Sequence, residues 1–328
     1  MNRFLIIQTA FIGDVILATA VIEALHGEFP GAKIDFLLRK GNEGLLTGHP
    51  FLNEVLIWDK SAAKYKNLID MIKKIRSRQY ELVINLHRFL NTGILTVCSG
   101  ALKTTGFSKN PLSIFFSYRY SHIFKENVHE TDRNLTLLSN LLKSDRKYLP
   151  KLYPSQTDFD KTTQETPYIT ISPTSVWFTK QYPQESWVEM LNGLDENFKA
   201  ILLGGKPDVD SCIKIKAGTT HRNVEVMAGK LSFLESAALM KNAVMNYTND
   251  SAPLHLASAM NAPVTAVFCS TVPSFGFGPL SSVSHVIETK EKLYCRPCGI
   301  HGNKQCPESH FKCAVIAPRR LLETIPES

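Results

Sequence analysis

Phe4-Leu5-Ile6-Ile7-Gln8-Thr9-Ala10-Phe11-Ile12-Gly13-Asp14-Val15-Ile16-Leu17-Ala18-Thr19-Ala20 is the stretch on which the fold turns. Phe4–Gln8 reads as a buried strand, a short loop follows, and Asp14–Gly27 reads as a helix. Strand, loop and helix in that order make one unit of a parallel α/β sheet. The same residues, preceded by Arg3 and ending in Ala18-Thr19-Ala20, resemble a short export signal. Gln8, Thr9 and Asp14 lie inside the apolar core such a signal needs, and a carboxylate there is costly. The segment is therefore read as part of a folded protein, and seven cysteines without an export signal point to a reducing cytoplasm.

The alternation continues outward from this unit. Lys33–Lys40, Glu54–Asp59 and Leu82–His87 read as strands, with a helix over Ala62–Arg78 whose Leu68, Ile69, Ile72 and Ile75 share one face. Tyr148–Pro167, with Pro150, Pro154 and Pro167 among Ser, Gln, Thr and Asp, has a linker composition. Alternation then restarts with strands Tyr168–Ser172, Ala200–Leu203, Val224–Met227, Val244–Tyr247 and Val264–Cys269. Helices Gln184–Asp195, Asp208–Ala217, Phe233–Asn242 and Ala252–Met260 lie between them. Two doubly wound halves predict a site in the cleft between them.

The chain has 328 residues, 44% of them hydrophobic and 20% charged, which suits about two domains with full cores. Its 18 glycines and 17 prolines exclude collagen-like and low-complexity classes. No run of apolar residues is long enough for a membrane-spanning helix. A formal charge of +7 favours anionic partners without choosing among them, and no nucleic-acid motif accompanies it.

Four loops carry chemistry. Gly13-Asp14 lies at the carboxyl end of the first strand, where ligands of open α/β sheets sit. Gly13 permits a tight turn, and Asp14 is either a complement to the helix dipole or a general base. The single glycine is not a dinucleotide fingerprint. Thr174 and Lys180, in the loop after Tyr168–Ser172, offer a hydroxyl and a cation suited to phosphate, or are simply exposed polar residues. Asn249-Asp250-Ser251-Ala252-Pro253-Leu254-His255 turns from strand to helix. It holds three cap-type residues and a helix start able to cradle an anion, with His255 one turn on as a packing or ligand-facing residue. Cys295, Cys298, Cys306 and Cys313 can bind Zn²⁺ tetrahedrally, form a local disulfide or remain thiols. Cys98, Cys212 and Cys269 read as core residues. Two further stretches invite a surface reading. The lysines and arginines from Lys60 to Arg78 read as a solvated face. Phe115-Phe116-Ser117-Tyr118-Arg119-Tyr120 interleaves aromatics with a cation, as an anionic membrane interface does.

Taken together, these stretches resemble glycosyltransferase family 9, the ADP-heptose:lipopolysaccharide heptosyltransferases. The likeness lies in Ile7–Thr19, Leu82–Leu86, Lys180-x-x-Pro183, Asn249–Ala259 with Ala262-Pro263-Val264, and the cysteine tail with Pro297 and His310. The resemblance implies an α/β GT-B fold, with two Rossmann-like doubly wound domains facing an interdomain cleft. Residues 1–155 would bind the acceptor, 166–316 the nucleotide sugar, and 317–328 would form a helix crossing back. It implies an inverting transfer of heptose from ADP-heptose to a lipopolysaccharide core acceptor, without a catalytic metal, at the inner face of the inner membrane. Asp14 would be the base, and Lys180 with Thr174 would hold the diphosphate. Asp250, Ser251 and Ala252 would form the phosphate-facing helix start with His255 beside it, Asp208 would sit near the ribose, and Leu231-Ser232 would line the adenine. Ala20, Ala252 and Phe268-Cys269-Ser270-Thr271 depart from the family pattern, the last two at the donor pocket. The competing expectations are a same-fold enzyme using another nucleotide sugar, and a non-catalytic nucleotide-binding scaffold with a cysteine-bound metal.

Overall fold

The computed structural model describes residues 2–60, 64–124, 128–143 and 146–326. The chain divides into two compact units, Met1–Tyr153 and Pro154–Ser328. Each is built on a six-stranded, wholly parallel sheet flanked by helices.

The first unit runs β1 (Arg3–Ile7), α1 (Ile12–Glu28), β2 (Lys33–Arg39), β3 (Leu52–Trp58), α2 (Lys64–Arg76), β4 (Leu82–Asn85), α3 (Leu90–Val97), β5 (Lys103–Phe107), β6 (Tyr118–Tyr120) and α4 (Glu130–Thr136). Its strand order is β3-β2-β1-β4-β5-β6. Helix α1 is apolar on every side and buried from Val15 to Leu25, as a helix packed all round must be. The expected start of α2 at Ala62 lies outside the described residues. On that helix Ile75 is buried and Leu68 and Ile72 pack against the core, but Ile69 points to solvent and Met71 takes its place. Cys98 is only half-buried, at the carboxyl end of α3, rather than a core residue.

The second unit runs α5 (Gln156–Thr162), β7 (Tyr168–Ser172), α6 (Gln184–Asn192), β8 (Lys199–Leu202), α7 (Val209–Gly218), β9 (Val224–Val226), α8 (Phe233–Asn242), β10 (Met245–Asn249), α9 (Ala252–Met260), β11 (Val264–Phe268), β12 (Ser284–Glu288) and α10 (Arg319–Leu322). Its order, β12-β11-β10-β7-β8-β9, is that of the first sheet. The stretch read as a linker contains α5, whose Ser155 and Asp158 exchange side-chain-to-backbone hydrogen bonds as a capping box. Helix α10 packs on α6, with Leu321 fully buried in the second core.

In both sheets the order reverses beside the first strand of the unit, between β1 and β4 and between β7 and β10. These switch points are where open α/β sheets bind ligands.

Candidate active site

At the first switch point the β1–α1 loop ends in Asp14, the third residue of α1. Gly13 lies inside the first helical turn and is not among the glycines with a left-handed φ, so it serves the helix rather than a tight turn. The Asp14 carboxylate accepts a hydrogen bond from the Phe11 N–H at 3.2 Å. Burial, and next the charge of Glu130, push its pKa up to about 6, against the lowering by the Phe11 N–H and Arg88. Glu130 keeps that charge inside the protein. Its burial favours the neutral form, yet His122 at 3.2 Å and Arg133 at 2.7 Å outweigh it and hold the carboxyl below its usual range. Asp14 thus has the half-buried, proton-avid environment suited to general base work near neutral pH.

Beside it, the carboxyl ends of β3 and β4 contribute Lys60 and His87. The Lys60 ammonium donates to the Thr9 carbonyl at 3.2 Å and its hydroxyl at 2.9 Å, and lies 4.8 Å above the Trp58 ring. Burial, then Arg39, lower its pKa to about 8. His87 Nδ1 is 3.1 Å from the Thr9 hydroxyl, and its pKa is lowered to about 4 by burial, Lys60 and Arg88, so the ring is neutral at pH 7. Lys60, His87, Phe89, Leu90, Asn91 and Thr92 line a cavity of about 320 Å³. Asn110, in the loop after β5, donates to the carbonyls of His87 and Phe89 and so holds the β4–α3 loop that lines it. Sequence reading placed Lys60 on a solvated basic face. No local signal marks it, because it reaches Thr9 across the carboxyl edge of the sheet, from a strand two places away from β1.

The second switch point gathers more of the expected residues. Lys180 lies on a short 3-10 turn after β7, and its ammonium reaches the Asp250 carboxylate at 2.7 Å. The Thr271 hydroxyl donates to the same oxygen at 2.6 Å. Asn249 joins the loops: its side chain accepts from the Tyr182 N–H at 2.8 Å and donates to the Thr174 carbonyl at 3.4 Å. Ser251 is the N-cap of α9 without a side-chain capping bond, and Ala252 begins the helix, followed by Pro253. His255 is buried on α9, edge-on to Phe277.

The remaining residues expected at the nucleotide follow the next two strands of the same edge. Asp208, after β8, accepts from the Gly205 N–H at 2.7 Å. Close packing explains Gly204: a Cβ there would approach the Asp208 Cβ to 2.6 Å. Ser232, after Leu231, caps α8 through reciprocal bonds with Glu235. The loops of β10, β7, β8 and β9 therefore form one row along the sheet's carboxyl edge. Among the described residues only Lys180 and Asp250 of this set are joined by an ion pair.

All seven cysteines are free thiols. Cys295 Sγ is 3.9 Å from His310 Nε2, and Cys298 donates to the Cys295 carbonyl. Burial first, then neighbouring cysteines of the same segment, raise the pKa of Cys298 and bring that of Cys313 to about 11. Among the described residues no group of three or more His, Cys, Asp or Glu side chains is arranged to hold a metal ion.

A family model described as glycosyltransferase family 9 (heptosyltransferase) matches residues 68–310. The span includes Lys180 and Asp250 and begins after Asp14. Lipopolysaccharide heptosyltransferase 3 of Escherichia coli K12 is 28% identical over 282 residues, covering 79% of this chain and 80% of its own. A glycosyltransferase family 9 structure from Veillonella parvula superposes with a TM-score of 0.87 at 21% identity, over 98% of this chain and 96% of that one. The E. coli ADP-heptose lps heptosyltransferase II structure gives 0.83 at 20% identity, over 99% and 97%. Both structures share the two-unit α/β fold of GT-B enzymes. Two matching sheets, a carboxylate at one switch point, a held lysine at the other and a family match over most of the chain lead to one statement: the chain belongs to glycosyltransferase family 9, the heptosyltransferases.

Proposed function

We propose that this glycosyltransferase moves a heptose from ADP-heptose to a lipopolysaccharide core acceptor with inversion at the anomeric carbon. The relatives' names support both substrates: ADP-heptose and lipopolysaccharide appear in that of the E. coli heptosyltransferase II, lipopolysaccharide in that of heptosyltransferase 3. Asp14 takes the proton of an acceptor hydroxyl as its oxygen attacks. The bond from the anomeric carbon to the ADP oxygen breaks, and ADP leaves with the electron pair. Lys180, Thr174 and the first amides of α9 (Ser251, Ala252) receive its diphosphate charge. Asp250, already bonded to Lys180, holds the ammonium in place rather than meeting the phosphates itself. Asp208 faces the ribose, Leu231 and Ser232 face the adenine, and His255 backs the helix start. No catalytic metal takes part in this scheme.

The acceptor sugar is assigned to the first unit, in the cavity lined by Lys60, His87 and Phe89, whose Lys60 and His87 meet Thr9 of the loop leading to Asp14. A lipid-anchored acceptor would bring the enzyme to the cytoplasmic face of the inner membrane as a peripheral protein. Exposed Ile114 and Phe115, with Lys109 and Arg119 nearby in sequence, support such a contact. No helix among the described residues is long and apolar enough to cross a membrane.

The observation that carries the proposal is Asp14 itself, a carboxylate at a sheet switch point with its pKa raised to about 6. Incubation with ADP-heptose and a panel of truncated lipopolysaccharides, following ADP release, tests it. Release that depends on one acceptor and disappears in Asp14→Asn supports the assignment. Equal release by Asp14→Asn removes it.

A further inference from the structure

The segment 295–311 has no part in the chemistry above, yet it lies against the loop that delivers Lys180. Arg296 fastens it to the end of β11, donating to the carbonyls of Cys269 at 2.7 Å, Thr271 at 2.8 Å and Phe268 at 3.1 Å and pairing with Glu288. Two residues on, the Cys298 N–H donates to the Ser270 carbonyl at 2.8 Å. The chain then reaches Thr179. The Asn303 N–H donates to the Thr179 hydroxyl at 2.8 Å, and the Thr179 N–H donates to the Asn303 carbonyl at 3.1 Å. From the other side Ser270 donates its N–H to the Thr179 carbonyl and its hydroxyl to Thr179 Oγ1. Phe311 lies against Phe178 with ring centroids 5.1 Å apart.

Gly302 is where this segment meets Lys180. Its φ of +72° belongs to the left-handed region, and an added Cβ would come within 3.1 Å of Lys180 Cγ and 3.0 Å of Thr179 Oγ1. Lysine is a flexible point cation, so an anion that binds it must first immobilise four rotatable bonds. Here Asp250 holds the ammonium and the 298–303 backbone confines the stem, leaving little to order.

We propose that residues 298–311 are a strap that positions Lys180 for the donor diphosphate, with Gly302 and Phe311 as its positioning residues. The proposal rests on the diphosphate role given to Lys180. It assigns the cysteine-bearing tail a task that requires no metal.

The test uses the full chain with Gly302→Ala, Phe311→Ala and Phe311→Tyr, each alone and combined with Lys180→Ala. ADP affinity is read by titration, and hydrogen exchange is followed over residues 176–182, with β8 and α8 as folding controls. Gly302→Ala should weaken ADP binding about tenfold and raise the donor KM while the acceptor KM holds. In the Lys180→Ala background the same change should alter ADP affinity less than about twofold, because the effect passes through the lysine. Phe311→Ala should speed exchange at Thr179 with the control peptides unchanged, and Phe311→Tyr should restore it. Equal losses in both backgrounds, or unaltered exchange over 176–182, would overturn the strap. A wild-type chain that binds no ADP would instead defeat the diphosphate reading, and the exchange arm would still decide the strap.

Discussion

The two sheets share one strand order, and the loops at their switch points treat charge in opposite ways. In the first unit the β1–α1 loop presents a carboxylate whose pKa is driven up by burial and by the neighbouring Glu130. In the second, the β7–α6 loop presents a lysine whose charge is met by Asp250, itself bonded to Thr271. The first arrangement leaves an acid eager for a proton; the second fixes a cation in place. A base must accept a proton during the reaction, whereas an anion cradle works best when nothing in it has to move. On the proposed function, the same backbone plan serves two complementary tasks through what surrounds one side chain in each half.

The comparison breaks most sharply at Asp14. Asp14→Asn should lower kcat by about 10²–10⁴-fold while ADP affinity stays within a factor of about two, since the change touches only the proton acceptor. Transfer assays with ADP titration check both values. Lys180→Ala should do the reverse, weakening ADP binding by about 10-fold or more, the loss expected for a charge-assisted contact. Equal effects of the two substitutions on ADP affinity would erase the contrast.

Two pH experiments sharpen it. Only ionised Asp14 can accept a proton, so kcat/KM should rise about tenfold per pH unit up to about 6 and level above it. The stability effect has the opposite sign. A carboxyl with a raised folded-state pKa is penalised when ionised, and the penalty is absent below about pH 4 and complete above about 6. Asp14→Asn should therefore stabilise the chain by on the order of 1 kcal/mol at pH 7.5 and leave it unchanged at pH 4, read by thermal melting at both values. The smallest effect is expected at Lys60: Lys60→Ala should raise the KM for an anionic acceptor several-fold and leave ADP affinity untouched.

Much of this plan is legible in the chain, and the gaps have physical causes. Strand β7 and helices α8 and α9 have the ends read from sequence, because apolar periodicity and cap residues coincide there. Strand β5 escapes because Lys103-Thr104-Thr105-Gly106 has no apolar run; Gly106 is small so that Phe116 can lie on it. Edge strand β12 is largely exposed and equally silent. Helix α4 buries Glu130, Arg133 and Asn134, so its inward face looks polar and no amphipathic stripe announces it. At the site, Asp14, Lys180 and Asp250 are visible as loop residues between periodic segments. Glu130 beside Asp14, Thr271 on Asp250 and Asn303 on Thr179, next to Lys180, arrive from distant parts of the chain, and only folding brings them near. Glu130 supplies a further check: Glu130→Ala removes the carboxylate partner of buried Arg133 and His122 and should cost on the order of 3 kcal/mol in a denaturant melt.

The second core is not closed by its sheet alone. Leu321 fills it, the Tyr247 hydroxyl donates to the Leu321 carbonyl at 3.0 Å, and the Tyr182 hydroxyl donates to the Ile316 carbonyl at 2.6 Å. During translation the first unit has all its strands once residue 120 has emerged and can condense early. The second must wait with apolar surface uncovered until residues 313–321 have been added. Slow elongation near that point would prolong the exposure.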